Sequence, residues 1–129
     1  MSLITSQSPH SVRGTAERAV AALARRGIEL FARIDHAAGA RQAGLALGDE
    51  ELLIFGDPRV GTLLMQSDPA VGYELPLRLL VWDCGGQTQI GFRAPRELAG
   101  AYDLAAQERV LQGMSALLEG LVAESVASD

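Results

Sequence analysis

The chain has 129 residues, 48% hydrophobic and 21% charged, with a formal net charge of −5 and a pI near 5.0. That describes one globular domain over residues 1–129, long enough to bury about two-thirds of its unfolded surface around a single core. Eleven scattered basic residues exclude a grip on a nucleic-acid backbone, one cysteine excludes an internal disulfide, and no apolar run approaches the ~18 residues of a membrane span.

Residues 1–10 lack the basic stretch and apolar core of a secretory signal, so a soluble, cytoplasmic protein is expected, with no membrane partner. Within them SLITSQS (2–8) reads as a mobile leader or a short edge strand. From Ser11 or Val12 to about Arg26 the pattern is helical, with Val12, Ala16, Ala19, Val20, Leu23 and Ala24 on one face. Gly27 closes that helix, because glycine takes positive φ without a Cβ clash. IELFARI (28–34) then sets Ile28, Leu30, Ala32 and Ile34 against Glu29, Phe31 and Arg33, a strand with one buried face.

Asp35 caps a short helix that runs through HAAGARQ towards Gly44. ELLIF (51–55) is too apolar for simple alternation and reads as an interior strand. A third helix spans 58 to about 66, with Val60, Leu63 and Leu64 inward, and SDPAVGYE is a loop. Pro76 opens LRLLVWD (77–83), which Gly85-Gly86 joins to QTQIGFR (87–93) as a hairpin. Tyr102 to Ala123 forms the longest helix. Its stripe of Leu104, Val110, Leu111, Met114, Leu117, Leu118 and Leu121 is wider than one sheet face needs, and the excess suits a dimer surface. The sum is an α/β (α+β) two-layer sandwich, a mixed sheet of about five strands with helices mainly on one face.

Gly56 and Gly61 have the spacing of a phosphate-cradling loop, but the chemistry is missing. Gly61 is followed by Thr62 and Leu63 rather than by Lys and a hydroxyl residue. Asp57 would repel the anion at the mouth of the cradle, and Pro58 removes a donor. Asp57 as a helix N-cap and Pro58 at the first helical position carry no such conflict. The stretch is expected to be a strand-to-helix junction without nucleotide binding.

Asp35-His36 is the other candidate. A histidine at a strand end beside a carboxylate suits a general base assisted by Asp35 or Glu51, or a metal ligand sharing Glu50, Glu51 or Asp57. Against this, Asp35 already serves as a cap and no spacing specifies a metal. His10 falls in the leader. Cys84 has no neighbouring base or cation in sequence and reads as an ordinary thiol; Trp82 and Tyr73 suit a pocket wall, and for Trp82, in a central strand, the core is the first reading. The candidate ligand-binding residues are His36, Asp35, Asp57 and Glu51; no cofactor or metal is implied.

Four stretches together, FARIDHAAGA (31–40), ELLIFGDP (51–58), GTLLMQ (61–66) and LPLRLLVW (75–82), resemble the domain of unknown function 302 family. The likeness runs over nearly the whole chain. It implies a small two-layer α/β fold that forms homodimers, and no particular activity. Some relatives look to carry a cysteine before an Asn-Pro at the second junction and another after the Leu-Pro. Here Gly56 and Leu77 hold those places, so thiol-based metal or redox chemistry is not expected. The expectation is a homodimeric ligand-binding or interaction module with a small-molecule ligand, the alternative a small enzyme or metal-binding protein built on His36.

Overall fold

The structure is a computed structural model that describes residues 2–129; Met1 lies outside the described residues. In chain order the elements are β1 (Ile4–Ser8), α1 (Val12–Arg25), β2 (Glu29–Asp35), α2 (His36–Gln42), β3 (Glu50–Gly56), α3 (Pro58–Ser67), β4 (Leu77–Cys84), β5 (Gln87–Phe92) and α4 (Glu108–Val126). Short 3-10 helices at Pro69–Glu74, Pro95–Gly100 and Ala105–Gln107 fill segments expected to be loop or the start of the last helix.

The caps explain the boundaries. Ser11 Oγ accepts the Gly14 amide at 2.9 Å to start α1, and Gly27 ends its turn at φ 66°. Asp35 Oδ1 accepts from Ala38 N at 2.8 Å to start α2, and Asp57 Oδ1 accepts from Arg59 N at 3.0 Å to start α3. Each satisfies an amide that a helix otherwise leaves without a partner. Gly85 and Gly86, both at positive φ (60° and 91°), turn β4 into β5.

The five strands lie in the order β1-β5-β4-β3-β2, with every neighbouring pair antiparallel rather than mixed. A parallel pair needs a crossover that carries the chain back along the strand. The seven residues of α2 cover about 10 Å against about 23 Å for β2, so the chain can only reverse.

One face of the sheet presents Leu53, Phe55, Leu79, Val81, Ile90 and Phe92 to α1 and α4, whose Ala16, Ala19, Leu23, Leu118 and Leu121 close the main core. A second cluster, built on Leu64, Val71, Leu104, Leu111 and Met114, joins α3 and the 3-10 segments to the first half of α4. Leu77 touches both clusters. The opposite sheet face carries Leu52, Ile54, Leu80 and Trp82, all half-buried; Trp82 therefore stands outside the core expected for it.

β2 departs from the alternation expected of it. Leu30 pairs with Phe55 and Ala32 with Ile54, so Phe31 is an extra residue bulged out of the ladder. Beyond the bulge the faces exchange: Arg33 lies opposite Leu53 on the helix side, and Ile34 lies opposite Leu52 on the other side. A single inserted residue has this effect because side chains alternate with period two.

The ends of the chain are tied together. The His10 ring donates from Nε2 to the Ala127 carbonyl at 2.7 Å, and Arg18 donates to the same carbonyl at 2.8 Å and to Asp129 at 2.7 Å. Residues 4–8 are the edge strand of the two alternatives, and His10 is engaged rather than loose.

Candidate functional site

The four residues singled out from sequence do not converge. Asp35 pairs across the sheet with Glu51, whereas Asp57 follows Gly56 at the other end of β3, opposite Glu29. Six residues of strand separate the two ends by about 20 Å. His36 is exposed at the first position of α2 and lines none of the three principal hollows. Among the described residues no group of three or more His, Cys, Asp or Glu side chains is placed to hold a metal.

Glu51 is 7% exposed and is held by Arg33, whose Nε donates to its Oε1 at 2.6 Å. The same guanidinium lies 3.2 Å from Glu17 on α1. The hydrogen bond to Glu51 and the nearby negative charge raise the Arg33 pKa further above its ordinary value, against the pull of desolvation. This cation between two carboxylates anchors the edge of the sheet to α1. It borders a shallow hollow of about 410 Å³ with Arg13, Asp35, Arg41, Asp49 and Glu50. Charges of both signs line it, and the candidate base is not among them.

At Asp57 the phosphate-loop question has a geometric answer. The Arg59 amide goes to the Asp57 side chain, and the Val60 and Gly61 amides go to the Asp57 carbonyl at 2.9 and 3.1 Å. The Arg59 guanidinium returns to the same carboxylate at 3.1 and 3.0 Å, and with the amide holds the Asp57 carboxyl below the usual carboxylate range. The amides of Arg59, Val60 and Gly61 are thus all engaged by Asp57.

Asp57 does sit beside something else. A cleft of about 610 Å³ opens between α3 and α4, floored by Leu75, Leu77 and Met114 and walled by Phe31, Val60, Leu63, Met65, Val110 and Leu117. Its lining is almost wholly apolar; Asp57 and Arg109 bring the charges to its boundary. Phe31 is 43% and Leu63 41% exposed, so two large apolar side chains are left facing outward. The bulge delivers Phe31 here, and the wide α4 stripe supplies Val110 and Leu117 to this opening. Leu63, expected to point inward, is a wall of the cleft instead. Sequence offered one signal, the excess width of the α4 stripe, without saying what it faced.

A second hollow, of about 570 Å³, lies beside Glu74. Glu74 accepts from Tyr102 Oη at 2.8 Å and from the Arg93 guanidinium. The Tyr102 hydroxyl, then Arg93, hold the Glu74 carboxyl below its ordinary pKa, and the tyrosine is raised in return. These three residues come from separate segments, so no local spacing announces them. Cys84 is a free, exposed thiol.

An antiparallel sheet backed by helices, with an apolar opening between two helices at one end, defines a small two-layer α/β domain. The chain belongs to the family described as domain of unknown function DUF302, whose profile matches residues 4–121. A crystal structure of an uncharacterized conserved DUF302 protein from Bacillus stearothermophilus superposes with a TM-score of 0.75. It covers 98% of this chain and 96% of its own at 23% identity, a likeness of fold. Among curated proteins, the Fluoride-specific ion channel FluC 1 of Brucella suis biovar 1 (strain 1330) is 39% identical over 128 residues. The match takes in 98% of this chain and 50% of that protein. FluC 1 of Brucella abortus biovar 1 (strain 9-941) matches at the same identity over 47% of its length. The chain thus spans about half the length of the curated relatives it matches, and among its described residues no helix is long and apolar enough to cross a membrane.

Proposed function

We propose that this DUF302 domain is a cytoplasmic, homodimeric binding module. In this reading it takes an apolar small molecule bearing an anionic group into the cleft between α3 and α4 and has no affinity for nucleotides. The supporting observation is the cleft itself, some 610 Å³ of apolar-lined space. Arg109 at the boundary is exposed and has no ion-pair partner among the described residues, whereas Asp57 is neutralised by Arg59. The net effect at the opening is one uncommitted positive charge, which favours a carboxylate or sulfonate on the ligand. An anion without an apolar body would leave the walls unsatisfied, so fluoride itself is a poor candidate for this site despite the names of the Brucella relatives.

Those relatives support a second role in the same class. Where the domain occupies half of a longer protein named as an ion channel, it acts as an appended binding or contact module. The alternative that uses His36 as a base or metal ligand has less behind it: the residue is exposed, and Glu51 is already committed to Arg33.

The test is a thermal-shift panel of octanoate, decanoate, salicylate, nucleoside triphosphates and divalent cations. The expected result is a rise in Tm with the apolar carboxylates alone, weakened by Arg109→Ala. A response confined to nucleotides or metals would overturn the assignment.

A further inference from the structure

Ile34, Leu52, Ile54, Leu80 and Trp82, on the sheet face turned away from α1 and α4, are half-buried or exposed, and Leu52 and Leu80 line the hollow beside Glu74. The strand register arranges this face in rows. Glu50 lies beside Trp82 and Gln89 in one row; Ile34, Leu52, Leu80 and Gly91 form the middle row; Ile54 lies beside Arg78 in the third. The middle row is apolar as far as Gly91, which is buried with Leu3 and Thr5 packed close to it. The flanking rows carry opposite charges, Glu50 on one side and Arg78 on the other. Arg78 is exposed and makes no hydrogen bond or ion pair among the described residues, though its charge acts on Glu74.

That pattern is self-complementary. A half-turn about the middle row, in the plane of the face, lays β4 on β4 and exchanges the outer rows. Arg78 then stands over the partner's Trp82, one strand spacing (about 4.8 Å) from the partner's Glu50, within reach of an arginine side chain. The twofold repeats the contact, so each pairing is made twice. We infer that a second copy of this chain covers this face, with Leu52 and Leu80 at the centre and two reciprocal Arg78–Glu50 pairs flanking them. This rests on the homodimeric part of the proposed function and adds the surface, leaving the α3–α4 cleft open to ligand. Five strands by three facing rows give about 480 Å² of plan area, which side-chain relief raises towards the ~800 Å² per partner of a stable interface.

Sedimentation equilibrium on the full chain tests it. Arg78→Glu and Glu50→Arg should each weaken the dimer roughly tenfold by setting like charges face to face, and the double exchange should bring the affinity back. Leu80→Asp should give monomer, with far-UV circular dichroism confirming that it folds. A wild-type dimer indifferent to all four variants would place the twofold elsewhere and overturn this inference while leaving the dimeric reading intact. A wild-type monomer at about 100 μM would overturn both, and the face would then be open to a different protein. Single exchanges that weaken the dimer without rescue in the double variant would also reject the pairing.

Discussion

Gly113→Leu separates the cleft from the fold that surrounds it. Gly113 lies in the interior of α4 and lines the cleft, and a Cβ built there meets no atom within 4 Å. Its φ is not among the positive values, so leucine meets no backbone strain. Exchanging an interior helical glycine for leucine gains about 0.8 kcal/mol in helix propensity. For a chain of this size that corresponds to a rise in Tm of about 3 °C. The added side chain meanwhile projects into the space a ligand would need. The variant should be as stable as wild type or more so, and should lose the fluorescence enhancement of 1-anilinonaphthalene-8-sulfonate, an apolar anion suited to the cleft. The measurement is a thermal melt of each protein paired with a dye titration. If the variant melts well below wild type, the space beside Gly113 has been misjudged. If it binds the dye unchanged, the cleft is not the site.

Other substitutions probe the charged residues. Arg33→Met strands Glu51 beneath α1 and should cost about 2 kcal/mol by urea unfolding, below the 3–5 kcal/mol of a fully buried pair because Arg33 keeps 28% exposure. Glu74 has a folded pKa below its unfolded value, so its contribution to stability is present above about pH 4.5 and is lost as pH falls through the folded pKa. Glu74→Gln should therefore flatten the acid limb of a stability–pH profile; an unchanged slope would deny the Tyr102 and Arg93 contacts. Asp57→Ala removes the α3 cap and should cost about 1 kcal/mol without creating nucleotide affinity, whereas His36→Ala at its exposed position should stay within about 0.5 kcal/mol of wild type and leave dye binding unchanged.

The sequence made the local signals legible. Asp35, Ser11 and Asp57 announced helix starts, Gly27 a helix end and Gly85-Gly86 a hairpin, because each effect is decided within a few residues. Sheet direction was harder, since nothing in β2 or β3 records that α2 is too short to carry the chain back. The cleft was legible only as surplus on α4; its other wall comes from α3 and Phe31, remote in sequence. Glu74, Arg93 and Tyr102 meet through tertiary folding alone. His36 drew notice because histidine is chemically versatile, and that versatility says nothing about where the ring points.

The bulge at Phe31 links several of these outcomes, and its removal gives a sharp test. Leu30 and Ala32 already face consecutive residues of β3, so deleting Phe31 leaves both flanks of β2 in register. Arg33 would remain opposite Leu53 and able to reach Glu51, and Ile34 would remain on the face assigned to the partner copy. The loss would be local twist and one wall of the cleft, a cost of about 1 kcal/mol. Deleting Leu52 from β3 is different in kind. No bulge absorbs it, so either Leu53 and Phe55 or Glu51 must exchange faces, against the core on one side or the Arg33 pair on the other. Urea unfolding should therefore show a cooperative, slightly weakened protein with reduced dye binding for the first deletion and no cooperative transition for the second. Equal damage from both would mean that Phe31 is bound into the ladder's energetics and is not a free insertion.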